Sequence, residues 1–316
     1  MKILVTPTSF QPGSNNPALK TLEEYGFELV FNPTRKPLTE EELIPIIADC
    51  DGYIAGLDQI TAPVLEAAKK LKVISRYGVG YDRVDIQAAK ARNIAVTNTP
   101  GTNSEAVAEL TMALILSVAR KIPYLDSQTK AGKWVRSTGS ELFGKTIGIV
   151  GLGAIGKNVA RCAKGFGMTV IAYDPYINQE YCRQNDIISC SFEDLLPQCH
   201  VISLHLPLNE QTRHIIDSKA IAAMKDGAIV VNASRGAIID EEAALQALKN
   251  GKLGGLGLDA FEIEPPTGSA LLTLDNVVAT PHTGAHTIEA MNKMANCSVE
   301  NLIAVLENRL CKYRIC

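Results

Sequence analysis

Short apolar runs alternate with amphipathic stretches along the whole chain. Lys2 to Thr6, Phe27 to Phe31, Gly52 to Ala55, Val73 to Ser75 and Ala95 to Asn98 read as buried strands. Helix signals fall between them. Pro17 stands near a helix start, and Gly26 lies just past its end. Thr39 with Glu42 makes a capping box. Thr61 caps a segment carrying Pro63 in its first turn. Strands alternating with helices predict right-handed βαβ crossovers and a parallel sheet.

A long helical pattern, Ser104 to Ala119, follows the punctuation Asn98-Thr99-Pro100-Gly101 and is read as the helix leaving a first domain. Lys121 to Gly144 is polar, is expected to be irregular, and holds the only tryptophan, Trp134. A second βα series starts at Lys145. Its predicted strands are Ile147–Val150, Thr169–Tyr173, Val201–Leu206, Ala228–Ala233, Leu256–Ala260 and Val277–Thr280. The helix from Thr287 to about Glu307 comes too late and runs too long for that series. It is expected to return to the first domain.

The 316 residues suffice for two cores. The 31 basic and 34 acidic residues leave a net charge of −3, without the basic excess of a nucleic-acid binder. Aromatic residues, at 5%, are too few for a base-stacking platform. The N-terminal apolar run is too short for a signal peptide. The longest apolar region, Met112 to Ala119, is far short of a membrane span. Eight scattered cysteines without a Cys-x-x-Cys read as free thiols of a cytoplasmic protein.

The first chemical signal is Ile-Gly-Ile-Val-Gly-Leu-Gly-Ala-Ile-Gly at 147–156. Gly151, Gly153 and Gly156 form GxGxxG between a predicted strand and a predicted helix, Ala154 to Phe166. Asp174 closes the next strand, about 20 residues on, as a dinucleotide site requires. Gly151 allows the tight turn, Gly153 a close approach of pyrophosphate, and Gly156 the packing of helix on strand. Ala154 and Ile155 open the helix, whose free N–H groups and dipole favour an anion. Asp174 can accept hydrogen bonds from ribose hydroxyls and would repel a 2′-phosphate. Pro175, Tyr176, Ile177 and Asn178 supply no cation to receive one. NAD is therefore expected rather than NADP. Glycines that merely tighten a βα turn, or those of a methyltransferase, are the competing readings.

Three polar residues stand just past predicted strand ends, where open α/β sheets place their sites. They are Arg235 after Asn232-Ala233-Ser234, Glu264 after Asp259-Ala260-Phe261, and His282 after Thr280-Pro281. Taken singly, each has a plain structural reading: a surface ion pair, a solvated loop carboxylate, a turn histidine. Together, the segments Asn-Ala-Ser-Arg-Gly (232–236), Leu-Asp-Ala-Phe-Glu-Ile-Glu-Pro-Pro (258–266) and Thr-Pro-His-Thr-Gly (280–284) resemble those of the D-isomer-specific 2-hydroxyacid dehydrogenases. So do Ser-Arg-Tyr-Gly-Val-Gly-Tyr-Asp (75–82), Asn-Thr-Pro-Gly-Thr-Asn-Ser (98–104) and Ser-Leu-His-Leu-Pro-Leu (203–208), in matching order and spacing.

That resemblance implies an α/β architecture with a Rossmann doubly wound parallel sheet plus a flavodoxin-like substrate domain. The substrate domain would comprise residues 1–98 and 285–316, and the NAD-binding domain 99–284. It implies His282 as acid/base, Glu264 as its carboxylate partner, and Arg235 as the binder of substrate carboxylate and carbonyl. The backbone at Val79 and Gly80 would help hold the carboxylate, and Arg76 would add positive charge near it. Asp259 would lie near the nicotinamide carboxamide. His205, Pro207, Thr212, Ala233, Ser234 and Gly284 join the glycine turn as cofactor neighbours, with Arg235 and His282 also facing the cofactor. The chemistry explains the residue types. Reducing a 2-keto acid leaves an alkoxide that needs a proton, which a histidine can give. Arginine pairs with a planar carboxylate.

The implied activity is NAD-dependent hydride transfer on a small anionic 2-hydroxy or 2-keto acid. Phosphoglycerate, hydroxypyruvate, glyoxylate and D-lactate all fit. The loop Gly56-Leu57-Asp58-Gln59 carries no base, which argues against a phosphorylated substrate. A homodimer is expected, with the Ser104 helix and the Trp134 segment at the interface and Arg136 reaching across it. The competing reading is an NADH-sensing binding module like the C-terminal binding protein corepressors. No nucleic-acid or membrane partner is expected. No metal site is expected either: Gly284 separates His282 from His286, and Cys182, Cys190, Cys199, Cys311 and Cys316 lack ligand spacing.

Overall fold

In the computed structural model, which describes residues 1–13 and 16–316, the alternation becomes two parallel sheets, one in each of two units of the chain. The first unit, Met1–Asn103 with His286–Cys316, opens with β1 (Lys2–Val5), α1 (Pro17–Glu24), β2 (Glu28–Phe31), α2 (Glu40–Ile47) and β3 (Gly52–Ala55). It continues with α3 (Ala62–Ala67), β4 (Val73–Arg76), α4 (Ile86–Ala91) and β5 (Ala95–Thr97). Strand order is β2-β1-β3-β4-β5, the flavodoxin-like order. Ile3, Leu4 and Val5 of β1 are wholly buried, as expected of a parallel strand covered on both faces.

The caps follow the sequence signals with one difference. Asn16 accepts the Ala18 N–H at 3.0 Å, and Thr39 and Glu42 exchange both capping-box bonds. Thr61 stands at the N-cap of α3, but its hydroxyl donates to the Glu40 carboxylate instead of capping. The first stretch of this unit runs to Asn103, past the 98 expected. Asn98 Nδ2 donates to the Val79 carbonyl at 2.8 Å and Thr99 N–H to the Gly78 carbonyl at 3.1 Å, which ties the segment to the loop after β4.

The second unit, Ser104–Ala285, begins with α5 (Ser104–Arg120), α6 (Ile122–Lys130), β6 (Thr146–Val150), α7 (Ala154–Gly165) and β7 (Thr169–Tyr173). Then come α8 (Gln179–Gln184), β8 (Ile188–Ser189), α9 (Phe192–Leu195), β9 (Val201–Leu204) and α10 (Ser218–Ala223). It closes with β10 (Ala228–Asn232), α11 (Glu241–Lys249), β11 (Leu253–Leu258) and β12 (Val277–Ala279). The order β12-β11-β10-β9-β6-β7-β8 contains the 3-2-1-4-5-6 arrangement of a Rossmann sheet, counted from β6. Alternate residues of β10 enter separate cores. Val230 joins the α10 and α11 side, and Ile229 and Val231 the α5 and α7 side.

Three elements depart from the sequence reading. Part of the stretch expected to be irregular is α6, begun by Pro123 in its first turn; none of its residues is buried, so no apolar stripe announced it. The short edge strand β8 was not predicted. β11 starts earlier than Leu256, at Leu253, because Gly254 and Gly255 are part of the strand. A Cβ on either would collide, with the Gly227 carbonyl or with Val118 of α5, so close packing selects glycines that look like a turn in sequence.

The last helix, α12 (Ile288–Leu306), packs on the first unit. Ala295, Val299, Leu302 and Ile303 share a core with Ile3, Ile54 and Val73. All eight cysteines are free thiols. Among the described residues no helix is long and apolar enough to cross a membrane.

Candidate active site

The glycine turn joins β6 to α7 at the point where strand order reverses between β6 and β9. Gly151 has φ +100°, and a Cβ there would lie 2.8 Å from the His205 carbonyl. A Cβ on Gly156 would overlap the Gly151 carbonyl oxygen. These two glycines are demanded by the fold itself. Gly153 is different: a Cβ there would meet nothing within 4 Å. As N-cap of α7 it also has no side chain to satisfy the first-turn N–H groups of Ala154 and Ile155. Open space beside unspent donors at a helix N-terminus fits a pyrophosphate.

Asp174 follows β7 with both oxygens fixed. Oδ2 accepts the Leu152 N–H and Oδ1 the Tyr176 N–H, each at 2.8 Å. Every carboxylate oxygen has a second lone pair, so hydroxyl acceptors remain. His205 follows β9. Its Nε2 lies 2.8 Å from the Ser203 hydroxyl, and its Nδ1 is buried without a protein partner. Burial pulls its pKa down to about 3, so the ring is neutral. An unspent polar atom beside the glycine turn fits a bound cofactor too. The loop that follows is held by Thr212, whose hydroxyl donates to the Pro207 carbonyl at 2.6 Å.

At the ends of β10, β11 and β12 the chain is organised by side chains. Buried Asn232 accepts the Ser234 N–H and hydroxyl and donates to the Arg235 carbonyl at 2.8 Å. It thereby shapes the turn Ala233-Ser234-Arg235. A Cβ on Gly236 would overlap the Phe261 backbone, so the arginine turn lies directly against the loop that carries Glu264. Glu264 Oε1 stands 2.8 Å from His282 Nδ1, with both side chains part-buried. A ring that gives its Nδ1–H to a carboxylate keeps Nε2 for proton exchange. His282 itself has φ +53°, a left-handed conformation uncommon for a non-glycine residue and one that clusters at functional sites.

That backbone is held by Asp259, which is 2% exposed. Its Oδ1 accepts from the Thr280 hydroxyl at 2.6 Å and the Thr283 N–H at 2.8 Å; its Oδ2 accepts the Gly284 N–H at 2.8 Å. Asp259 is thus the clamp of the histidine turn. Gly284 packs on that clamp: a Cβ there would lie 3.0 Å from Asp259 Oδ2. Sequence reasoning missed Asn232 and Thr280, polar residues at strand ends whose only signal was polarity after an apolar run.

In the first unit, Arg76 is 3% exposed at the end of β4. Its guanidinium donates to the carbonyls of Ala55 and Gly80. The loop with Val79 and Gly80 is therefore braced from beneath by the arginine and held from the side by Asn98.

Residues 112–284 match the family model described as D-isomer specific 2-hydroxyacid dehydrogenase, NAD binding domain. The chain is 44% identical over 314 residues to D-3-phosphoglycerate dehydrogenase of Methanocaldococcus jannaschii, covering 98% of this chain but only 58% of that protein. It is 44% identical to hydroxypyruvate reductase of Thermotoga maritima, covering 86% of this chain and 90% of the relative. The apo-structure of D-lactate dehydrogenase from Escherichia coli superposes with a TM-score of 0.87 at 32% identity, covering 100% of both chains. A dinucleotide turn on a Rossmann sheet and an imidazole–carboxylate pair beside it accord with these likenesses: the chain belongs to the D-isomer specific 2-hydroxyacid dehydrogenase family.

Proposed function

We propose that the protein interconverts a small 2-keto acid and its D-2-hydroxy acid with NAD. The observation that carries this reading is the Glu264–His282 pair at 2.8 Å, on loops that pack against the Arg235 turn. When bound, the nicotinamide supplies the hydride in reduction and receives it in oxidation. In reduction, His282 Nε2 gives its proton to the forming alkoxide; in oxidation it takes the hydroxyl proton. Glu264 holds the ring through its Nδ1. Arg235 pairs with the substrate carboxylate and stabilises charge on the reacting oxygen. Val79 and Gly80 add backbone donors on the loop that Arg76 braces. Residues 1–103 and 286–316 serve the substrate, and 104–285 the cofactor.

Substrate choice lies among hydroxypyruvate, glyoxylate, D-lactate and phosphoglycerate types. Asp58, the one ionisable residue of the Gly56–Gln59 loop, is buried and accepts from the Leu38 and Gly56 N–H groups. That loop offers a phosphate no side-chain cation, which supports the unphosphorylated acids. Trp134 is 84% exposed and Phe143 78% exposed, on a segment whose helix α6 buries nothing; uncovered aromatics of this size support a homodimer. A steady-state screen of the keto acids with NADH and NADPH tests the reading. Oxidation of NADH in preference to NADPH by at least one unphosphorylated keto acid is expected. NADH binding without oxidation by any of them would overturn it.

A further inference from the structure

The glycine turn, Arg235, Glu264 and His282 occupy one edge of the second unit's sheet. The opposite edge holds a cavity of about 220 Å³ that the proposed reaction leaves unused. Register places its walls. β6, β9 and β10 are neighbours, with Ile147 and Ile229 both paired to Val201. Lys145, His200 and Lys225 therefore come in just before three adjacent central strands, and all three line the cavity. Ser140 and the apolar Leu142 also line it.

The charge is one-sided. Among the described residues neither Lys145 nor Lys225 makes an ion pair, although both are only half-exposed. Asp226 also lines the cavity, but its carboxylate is bound by Lys252 at 2.7 Å. His200 Nδ1 accepts the Thr146 N–H at 3.1 Å, so the neutral ring carries its proton on Nε2 and is a donor. Burial, Lys225 and Lys145 all lower its pKa. Two unspent cations, an imidazole N–H and the Ser140 hydroxyl ask for a tetrahedral oxyanion. The volume equals that of about seven waters, more than a bare phosphate fills.

We propose that this cavity binds a small phosphate-bearing anion, at a site separate from the proposed catalytic edge and independent of the reaction assigned to it. The test is a titration of the full chain with inorganic phosphate and with glycerol 3-phosphate, at constant ionic strength with chloride as control. It is followed by the His200 imidazole signals, which His200→Gln identifies. A saturable shift with either phosphate probe and none with chloride is expected. Tighter binding of the ester would identify a phosphomonoester as the ligand, and equal binding phosphate itself. The double variant K145Q/K225Q should weaken binding by about tenfold or more, whereas R235Q should leave it within about twofold. The same double variant should raise the His200 pKa without ligand while its urea-unfolding midpoint stays at the parent's, which separates the lost charges from a failed fold. Each single lysine variant should give part of both effects. Binding unchanged in K145Q/K225Q, binding lost in R235Q, or an equal response to chloride would each overturn the proposal.

Discussion

The turn after β6 and the loops after β11 and β12 stand at the same edge of one sheet, yet they use different parts of the chain's chemistry. The first is nearly all backbone. Its specificity comes from Cβ atoms that are missing at Gly151, Gly153 and Gly156. The second is a mesh of side chains, in which Asp259 clamps the histidine turn and Glu264 orients the ring. A bare turn can be injured only by adding atoms, a mesh only by removing them. The two regions should therefore fail in different ways.

The largest expected effect is in the mesh. His282→Ala removes the proton donor and should lower turnover by about 10²–10⁴-fold, with NADH affinity nearly unchanged. Single-turnover rates together with NADH fluorescence titration check both halves, and retained turnover would remove the histidine from the chemistry. Next comes Gly156→Ala, whose new methyl overlaps a backbone oxygen and cannot be relieved by a rotamer. A loss of about 3 kcal/mol in urea unfolding is expected, with cofactor binding lost as a consequence.

Gly153→Ala sharpens the contrast within the turn itself. The methyl meets no protein atom, so stability should change by no more than about 1 kcal/mol. NADH binding should nonetheless weaken by about tenfold if pyrophosphate comes that close. An unfolding curve and a binding titration on the same sample separate the two glycines. The last effect concerns acid. His205 is held neutral down to about pH 3, whereas in an unfolded chain it protonates near 6.5. Between those values the unfolded state binds the extra proton, so folding weakens as pH falls through that window. His205→Gln should flatten the slope of stability against pH there, while leaving the slope above pH 7 alone.

The same contrast explains what was legible in the sequence. Strand cores such as 3–5 and 228–231 announce themselves by unbroken apolar runs, and the glycine turn by spacing. Arg235, Glu264 and His282 stand out because they follow strand ends in a familiar order. What holds them was hidden. Asn232 and Asp259 act through bonds to residues nearby in space, and one-dimensional patterning does not carry bond geometry. The sequence points to Asp259 only as a neighbour of the nicotinamide carboxamide; its bonds to Thr280, Thr283 and Gly284, which clamp the histidine turn, leave no trace in sequence. α6 escaped notice because a helix without a buried face has no apolar period to read.

The return of α12 to the first unit bears on the order in which the molecule can assemble. A ribosome delivers β1 to β5 first, and then all of Ser104–Ala285, before Ile288 emerges. Until then Ile3, Ile54 and Val73 have only α1 on that face and lack the helix that completes their core, so part of one face of the older sheet waits exposed while the younger unit already has every strand it needs. The part of the chain made first is thus the part finished last, and nascent-chain proteolysis should find Ser104–Ala285 protected earlier than Met1–Asn103.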